Sequence, residues 1–277
     1  MTRPAEGSVP LLAFALSVGV FSLSLFAVAG IARADTHSTG PHHRAALLGA
    51  HLDAVKGRII VIDPGHNTGN AAHTAEINRL VNYGEGTKPC DTTGTATNSG
   101  YSEARFTLDL SGRLAAILRA AGAKVILTHT ATKPSWGPCI TERAAIGNRH
   151  QADAAISIHA DGGPSSGRGF TTILPSRPIL AVGLTRGMIA RDFGLATAVR
   201  DAYLHESGMP TSTYLGSDGI YQSNAYGGTN LSRVPKIFIE TGNMRNASDA
   251  ALLESPAFRA QAALSIAHGL AEFLAKR

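Results

Sequence analysis

The chain of 277 residues is poor in aromatic side chains, which make up 6% of it and include one tryptophan. No basic run is interleaved with aromatics, which argues against nucleic-acid binding. The two cysteines, Cys90 and Cys139, have no second cysteine or histidine at ligand spacing, which argues against a Cys-ligated metal. Internal repeats, low-complexity linkers and the G-x-S-x-G motif of serine hydrolases are also lacking.

The hydrophobic fraction of 44% is sufficient for a globular core. The apolar residues near the N-terminus are not expected to belong to that core. Arg3 precedes an apolar run that ends in an A-x-A cleavage signal at residues 32–34. We predict a signal peptide over residues 1–34, a linker with a short helix over 35–56, and one catalytic domain over 57–277. The apolar run is also long enough for an uncleaved membrane anchor, which is the alternative.

Export to the periplasm or cell wall changes how the remaining composition is interpreted. An even pair of cysteines in an oxidising compartment predicts a disulfide between Cys90 and Cys139. The net charge of +5 becomes +4 when Arg3, Arg33 and Glu6 leave with the signal peptide. A mildly basic exported monomer would be attracted to anionic polymers of the cell envelope.

Three apolar runs end in residues that bear chemistry. Residues 58–63, 154–158 and 236–239 are typical of buried strands, and turn residues or small residues follow them. The side chains at or just after their ends are His66, His159 and Glu240. Because the carboxyl ends of parallel strands meet at one sheet edge, we expect one site there.

Helical patterns alternate with these strands and predict an α/β fold. They cover residues 102–122, 141–150, 179–207 and 255–274. We expect one twisted, mostly parallel sheet flanked by helices, similar to phosphorylase/hydrolase folds, with a metal site at the strand ends. The glycine-rich stretch 67–101 would be a flap pinned by the disulfide, and the tyrosines of 214–228 would line a groove.

The residue types at the strand ends are those of a zinc hydrolase. Such enzymes hold zinc with three protein ligands and leave a fourth position for water. His66 and His159 are the best imidazole ligands, and Glu103, at the start of a helix, is the best carboxylate. Glu76 and Glu85 remain alternatives.

Glu240 is then left as the acid/base that exchanges protons with the zinc-activated water and the leaving amine. Asp161, two residues after His159, could orient a ligand or reach the metal. Three more residues are candidates for ligand support or substrate contact: Asp63, Arg143 and Asn230. His129 also ends a strand, but nothing around it selects it, so we expect a structural role.

At these residues the chain resembles the zinc-dependent N-acetylmuramoyl-L-alanine amidases of the amidase-3 family. The motifs that carry the resemblance are Ile59-Ile60-Val61-Ile62-Asp63-Pro64-Gly65-His66, the helix-opening Glu103, the R-x4-N-x3-A-D spacing from Arg143, and the block from Ile239 to Asn246. The resemblance implies Zn²⁺ held by His66, Glu103 and His159, with Glu240 as catalytic carboxylate. It also implies cleavage of the bond between N-acetylmuramic acid and L-alanine in peptidoglycan or muropeptides.

Two departures from the family pattern are visible. Asn67-Thr68 replaces the commoner Gly-Gly after the first histidine, and the stretch from Asn70 to Ser99 is longer than in minimal members. The cysteine pair and the single domain resemble actinobacterial members.

Two other functions are compatible with parts of the pattern. A zinc carboxypeptidase would need an arginine that binds the substrate's terminal carboxylate, and Arg143, Arg168 and Arg233 are candidates. A non-catalytic cell-wall-binding protein would be expected to lack a ligand or Glu240, and all four positions are filled.

Overall fold

A computed structural model describes residues 52–277. The predicted signal peptide and most of the predicted linker lie outside these residues. The described strands are β1 (Ile59–Pro64), β2 (Leu80–Asn82), β3 (Thr87–Pro89), β4 (Lys124–Leu127), β5 (Ala154–Asp161), β6 (Thr171–Leu174), β7 (Ile220–Gln222) and β8 (Lys236–Asn243). The described α-helices are α1 (Thr74–Ile77), α2 (Glu103–Ala120), α3 (Ile140–Arg149), α4 (Arg186–Glu206), α5 (Gly227–Asn230), α6 (Ala247–Glu254) and α7 (Pro256–Ala275).

Six strands form one sheet in the order β4-β1-β5-β8-β6-β7. β4, β1, β5 and β8 are parallel to one another, whereas β6 pairs with β8 in the antiparallel sense and β7 runs parallel to β6. β2 and β3 form a separate antiparallel hairpin. The predicted mostly parallel α/β sheet is confirmed.

The two faces of the central strands differ in composition. Ile60 and Ile62 of β1 and Ile156 and Ile158 of β5 point to one face, where they pack in the main hydrophobic core with residues of α2, α4 and α7. Val61 and Ala155 point to the other face, in a smaller cluster that Ile146 of α3 contacts. The strands are covered on both sides, which explains their continuous apolar runs.

The predicted helix over 179–207 begins later than expected. Residues Leu180–Val182 form a 3-10 turn, and α4 starts only at Arg186, where the Thr185 hydroxyl accepts a hydrogen bond from Met188 N. Gly183 adopts a left-handed conformation with φ of 70° and separates the turn from the helix. The predicted start of the terminal helix is confirmed, since Ser255 caps it and Pro256 is its first residue.

Several short elements were not predicted. α1 and the hairpin β2–β3 lie within the stretch 67–101, β7 occupies part of the 214–228 loop, α5 begins at the end of that loop, and α6 separates β8 from α7. The three strands have three residues each, and those of the hairpin are largely exposed. Among residues 52–277, no helix combines the length and the apolar character needed to cross a membrane.

Candidate metal centre

Three neighbouring parallel strands bring predicted site residues to one edge of the sheet. β1 ends at Pro64, so His66 follows the strand after one residue. His159 lies near the end of β5 and pairs in register with Glu240 on β8. His66 thus follows its strand, whereas His159 and Glu240 lie within the carboxyl-terminal halves of β5 and β8, which extend further than predicted. All three are on the side of the sheet on which the sequence predicts a site.

The side chains of His66, Glu103 and His159 converge there. His159 Nδ1 lies 2.9 Å from Glu103 Oε1, and His66 Nε2 lies 3.9 Å from the same oxygen. One ligand atom from each residue lies within 4.8 Å of the other two. Two imidazole nitrogens and one carboxylate oxygen at this spacing fit a zinc ion.

Glu103 reaches the site because it is the first residue of α2. Ser102 caps the helix by accepting from Arg105 N. The Glu103 carboxylate accepts backbone N–H groups from Thr95, at 3.0 Å, and Ala160, at 3.3 Å. A Cβ atom on Gly94 would lie 2.6 Å from Glu103 Oε2, so the loop can pass the ligands closely only with glycine there.

The two alternative carboxylates do not join this group. Glu76 is exposed and contacts His73 at 3.2 Å, and Glu85 forms an ion pair with Arg177 at 2.8 Å. Neither belongs to the group of donor atoms found among the described residues.

Asp91 fixes the orientation of the His66 ring. Its Oδ1 lies 2.5 Å from His66 Nδ1, which leaves Nε2 facing Glu103. Burial acts to lower the pKa of His66, but the hydrogen bond with Asp91 and the charge of Glu103 raise this pKa above its ordinary value. Burial would raise the pKa of Asp91, yet the positive charge of Arg143 and the hydrogen bond with His66 hold it well below its usual range.

The His159 ring is held by packing on both sides. It stacks on Phe238 of β8 with ring centroids 3.9 Å apart. A Cβ atom on Gly65 would lie 1.9 Å from His159 Cε1, so the backbone at Gly65 is in close contact with the ring. Burial lowers the pKa of His159, and the hydrogen bond with Glu103 offsets part of this effect. The neutral imidazole that metal binding requires is therefore favoured.

Glu240 is a buried carboxylate with an unsatisfied oxygen. Its Oε2 has no hydrogen-bond partner among the described residues. Burial raises the pKa of Glu240 well above its usual range, and the charges of Glu103 and Asp161 raise it further. Such a group can take up a proton and release it again.

These side chains line one cavity of about 540 Å³. His66, Glu103, His159 and Glu240 all contribute to its walls, together with Asp161 and Tyr226. Lys88 of β3 also lines the cavity and donates to the Ala225 carbonyl at 2.5 Å. The hairpin therefore forms part of the cavity, as the predicted flap would.

A buried ionic network lies behind the donor atoms. Asp63 accepts from Arg143 Nη1 at 2.8 Å and from Lys236 Nζ at 3.1 Å. The hydroxyls of Ser157 and Thr128 donate to the same carboxylate. The Arg143 guanidinium is therefore held in an internal network. His129 contacts the backbone instead, because its Nε2 lies 2.7 Å from the Pro64 carbonyl oxygen.

The remaining candidates have distinct surroundings. Asp161 accepts from the Tyr214 hydroxyl at 2.7 Å and lines the cavity. Asn230 is not among the lining residues, and it donates to the backbone carbonyls of Tyr83 and Asn224. Asn230 thus anchors the hairpin to the neighbouring loop.

The predicted disulfide between Cys90 and Cys139 is present. It joins the end of the hairpin to the start of α3, where Ile140 N also donates to the Cys90 carbonyl at 2.8 Å. Sequence reasoning missed Asp91 and Phe238 as parts of the site. The position of Asp91 beside Cys90 was the signal that could have found it.

The sheet edge carries two histidines and two glutamates around one cavity, an arrangement typical of metal-dependent hydrolases. The chain belongs to the N-acetylmuramoyl-L-alanine amidase family Amidase_3, whose profile matches residues 60–272. The sequence resemblance to this family is thereby confirmed.

Three similar proteins come from mycobacteria. The chain is 40% identical over 222 residues to the N-acetylmuramoyl-L-alanine amidase Rv3717 of Mycobacterium tuberculosis, a match that covers 80% of this chain and 88% of the relative. It is also similar to the crystal structure of the N-acetylmuramyl-L-alanine amidase Ami1 from Mycobacterium smegmatis, with a TM-score of 0.74, 39% identity, and 80% and 99% of the two chains covered. The apo form of Ami1 from Mycobacterium abscessus gives a TM-score of 0.71 and 38% identity, with 79% and 100% covered.

Proposed function

We propose that the chain is a zinc-dependent hydrolase that cleaves the amide bond between N-acetylmuramic acid and the L-alanine of peptidoglycan stem peptides. One observation carries the proposal: donor atoms of His66, Glu103 and His159 lie within 4.8 Å of one another, in a cavity that also contains the carboxylate of Glu240. Family membership and the names of the mycobacterial relatives support it.

His66, Glu103 and His159 would hold the zinc ion. The chemistry that zinc supplies when bound is polarisation of the scissile carbonyl and a lower pKa for water. The protein keeps the two imidazoles oriented through Asp91 and Phe238, and it keeps the carboxylate in place through two backbone N–H groups.

Glu240 would move the proton. As a carboxylate it takes a proton from the attacking water, and as a carboxylic acid it delivers that proton to the departing L-alanine nitrogen. The raised pKa of Glu240 supports this role, because it favours retention of the proton between uptake and delivery.

The described surroundings of the three candidate arginines favour the amidase over a carboxypeptidase. Arg143 lines the cavity, but its guanidinium is occupied by Asp63 and Asp91. Arg168 is paired with Asp249, and neither Arg168 nor Arg233 is among the residues that line the cavity. None of the three offers a free guanidinium in the cavity for a substrate carboxylate.

The proposal includes export and action on the cell wall. The disulfide of the described region is typical of an oxidising compartment, and the N-terminal apolar run would direct the chain there. The four proposed site residues come from one chain, so a monomer would be active.

The test is digestion of purified peptidoglycan and of muramyl dipeptide, with products identified by mass spectrometry. Release of peptide with a free N-terminal L-alanine, abolished by a chelator and restored by zinc, is the expected result. Loss of a C-terminal residue instead would identify a carboxypeptidase, and no cleavage of either substrate would contradict the proposal.

A further inference from the structure

Asp91 is buried, 4% exposed, and touches one proposed ligand without belonging to the donor group. Its Oδ1 contacts Nδ1 of His66, on the side of the ring away from the Glu103 oxygen that Nε2 faces. A carboxylate can only accept hydrogen bonds, so Nδ1 must carry the proton in this pair. The lone pair of Nε2 is then directed at the metal site.

Each oxygen of Asp91 already has a donor that holds it in place. Oδ2 accepts from Arg143 Nη2 at 2.8 Å, and Oδ1 also accepts from the Thr92 backbone N–H at 2.8 Å. Arg143 is fixed in turn by Asp63. The carboxylate is thus oriented from both sides before any metal arrives.

A disulfide lies close in sequence to both Asp91 and Arg143. Cys90 precedes Asp91, and Cys139 lies four residues before Arg143, at the N-terminal cap of α3. The disulfide therefore joins the segment that carries the carboxylate to the helix that carries its cationic partner.

We propose that Asp91 is a positioning residue, which selects the Nδ1–H tautomer of His66 and thereby sets the affinity of the metal site. This inference rests on the proposed zinc site. Carboxylates in this position typically change metal affinity by about 10- to 100-fold when they are removed.

The variant Asp91→Asn tests it sharply. An amide has one accepting and one donating end, whereas the site offers donors to both oxygens of Asp91. Whichever way the new amide turns, its NH₂ group either opposes Arg143 or forces His66 Nδ1 to accept, which would place the proton on Nε2. Asp109→Asn is the matched control, because Asp109 also bridges two arginines, Arg113 and Arg259, away from the cavity.

The measurement is the zinc dissociation constant of the full-length chain in detergent, obtained by competition with a chromophoric chelator. We expect Asp91→Asn to bind zinc about 10- to 100-fold more weakly and to show an altered visible spectrum with Co²⁺, whereas Asp109→Asn behaves like the unmodified protein. A thermal stability loss without a change in zinc affinity or in the cobalt spectrum would make Asp91 merely structural and overturn the proposal.

A second measurement needs no variant that might misfold. Long-range ¹H–¹⁵N correlation spectra of the metal-free protein at alkaline pH should show His66 as the Nδ1–H tautomer. The Nε2–H tautomer, which free histidine prefers, would overturn the inference. If the unmodified protein binds no zinc, the proposed function itself fails and the inference fails with it; normal binding by Asp91→Asn contradicts the inference alone.

Discussion

Glu240 has surroundings that no purely structural role explains, because one of its oxygens is buried without a partner among the described residues. Replacing this side chain by glutamine keeps its shape but removes the carboxyl group that can take up and release a proton. We expect Glu240→Gln to retain zinc and to lose turnover by about 10²- to 10⁴-fold, the usual share of general acid–base catalysis.

The measurements are kcat on muramyl dipeptide and the zinc content of the same sample. Glu254→Gln is the control, since Glu254 is exposed on α6 and bonds Ser99. Near-normal turnover of Glu240→Gln would assign the proton transfer to another group.

Gly65 is a position where a single methyl group should disrupt the donor group. An alanine Cβ there would lie 1.9 Å from His159 Cε1 and 2.0 Å from Nε2. The ring would have to leave its position against Phe238, so Gly65→Ala should bind zinc poorly and lose roughly 1–3 kcal/mol of stability through overpacking.

Gly112 provides the matched control within α2. A Cβ at Gly112 meets nothing within 4 Å, so Gly112→Ala should be neutral or stabilise by about 0.5–1 kcal/mol. Zinc titration and chemical unfolding of both variants give the comparison. Equal zinc affinity in Gly65→Ala and the unmodified chain would contradict the close contact.

At the level of single residues, sequence reasoning could place His66, His159 and Glu240 because strand ends are recognisable. Asp91 could not be placed in the same way. It is 25 residues from His66 and 52 from Arg143, and only the folded hairpin and the disulfide bring the three together.

The disulfide connects the hairpin β2–β3 to α3 and should have a measurable effect on the free energy of unfolding. It closes a loop with a sequence separation of 49 residues. The chain-entropy treatment gives about 4 kcal/mol for a loop of this size, so replacing both Cys90 and Cys139 by alanine should lower the free energy of unfolding by up to that amount.

Urea unfolding with and without a reductant checks this expectation. The unmodified chain should become less stable when reduced, whereas the double variant should not respond to the reductant. A response of the double variant, or none of the unmodified chain, would show that the cross-link does not act on stability.

Asp192 gives α4 a pH-dependent attachment to the sheet. It is 2% exposed and accepts from Lys236 N, the first residue of β8, at 3.0 Å. Burial raises the pKa of Asp192 to about 7, although the hydrogen bond from Lys236 N lowers it in part. A carboxyl with a raised folded-state pKa binds more protons when folded than when unfolded, so its stabilisation is lost as pH rises from about 4 to about 7.

An asparagine at this position keeps the accepting oxygen and cannot ionise. We therefore expect Asp192→Asn to be more stable than the unmodified chain at pH 8, by up to roughly 4 kcal/mol, and to keep less than half of this advantage at pH 5. Urea unfolding of metal-free samples at both pH values measures the difference. Asp201→Asn, at a partly exposed position of the same helix, is the control, and a pH-independent gain in Asp192→Asn would contradict the ionisation argument.

Element by element, the predictable parts of the fold are those with long uniform patterns. β1, β5 and β8 could be recognised because both of their faces are covered, and α7 because Ser255 and Pro256 mark its start. β7 and the hairpin could not, since strands of three residues contain too little alternation to indicate a face. The start of α4 was misplaced because apolar residues of the 3-10 turn at Leu180–Val182 continue its pattern.

For the molecule as a whole, the proposed metal couples three separate segments. His66 follows β1, Glu103 begins α2 and His159 lies on β5, so a ligand that binds all three stabilises their common arrangement. Any such ligand that binds only the folded state raises stability with its concentration. Free zinc at about 100 times its dissociation constant should add about 2.7 kcal/mol, which corresponds to roughly 5–10 °C in Tm for a chain of this size.

Two histidine variants distinguish the loss of a proposed zinc ligand from the loss of a buried histidine that is not a ligand. His159→Gln removes a proposed ligand and should abolish the zinc-induced rise in Tm. His129→Gln removes a buried histidine that bonds the Pro64 carbonyl outside the donor group, so its Tm should fall while the zinc-induced rise remains. Thermal unfolding with chelator and with buffered zinc measures both effects. A full zinc response in His159→Gln would mean that the metal binds elsewhere, because a site that has lost one of three protein ligands cannot stabilise the fold to the same extent.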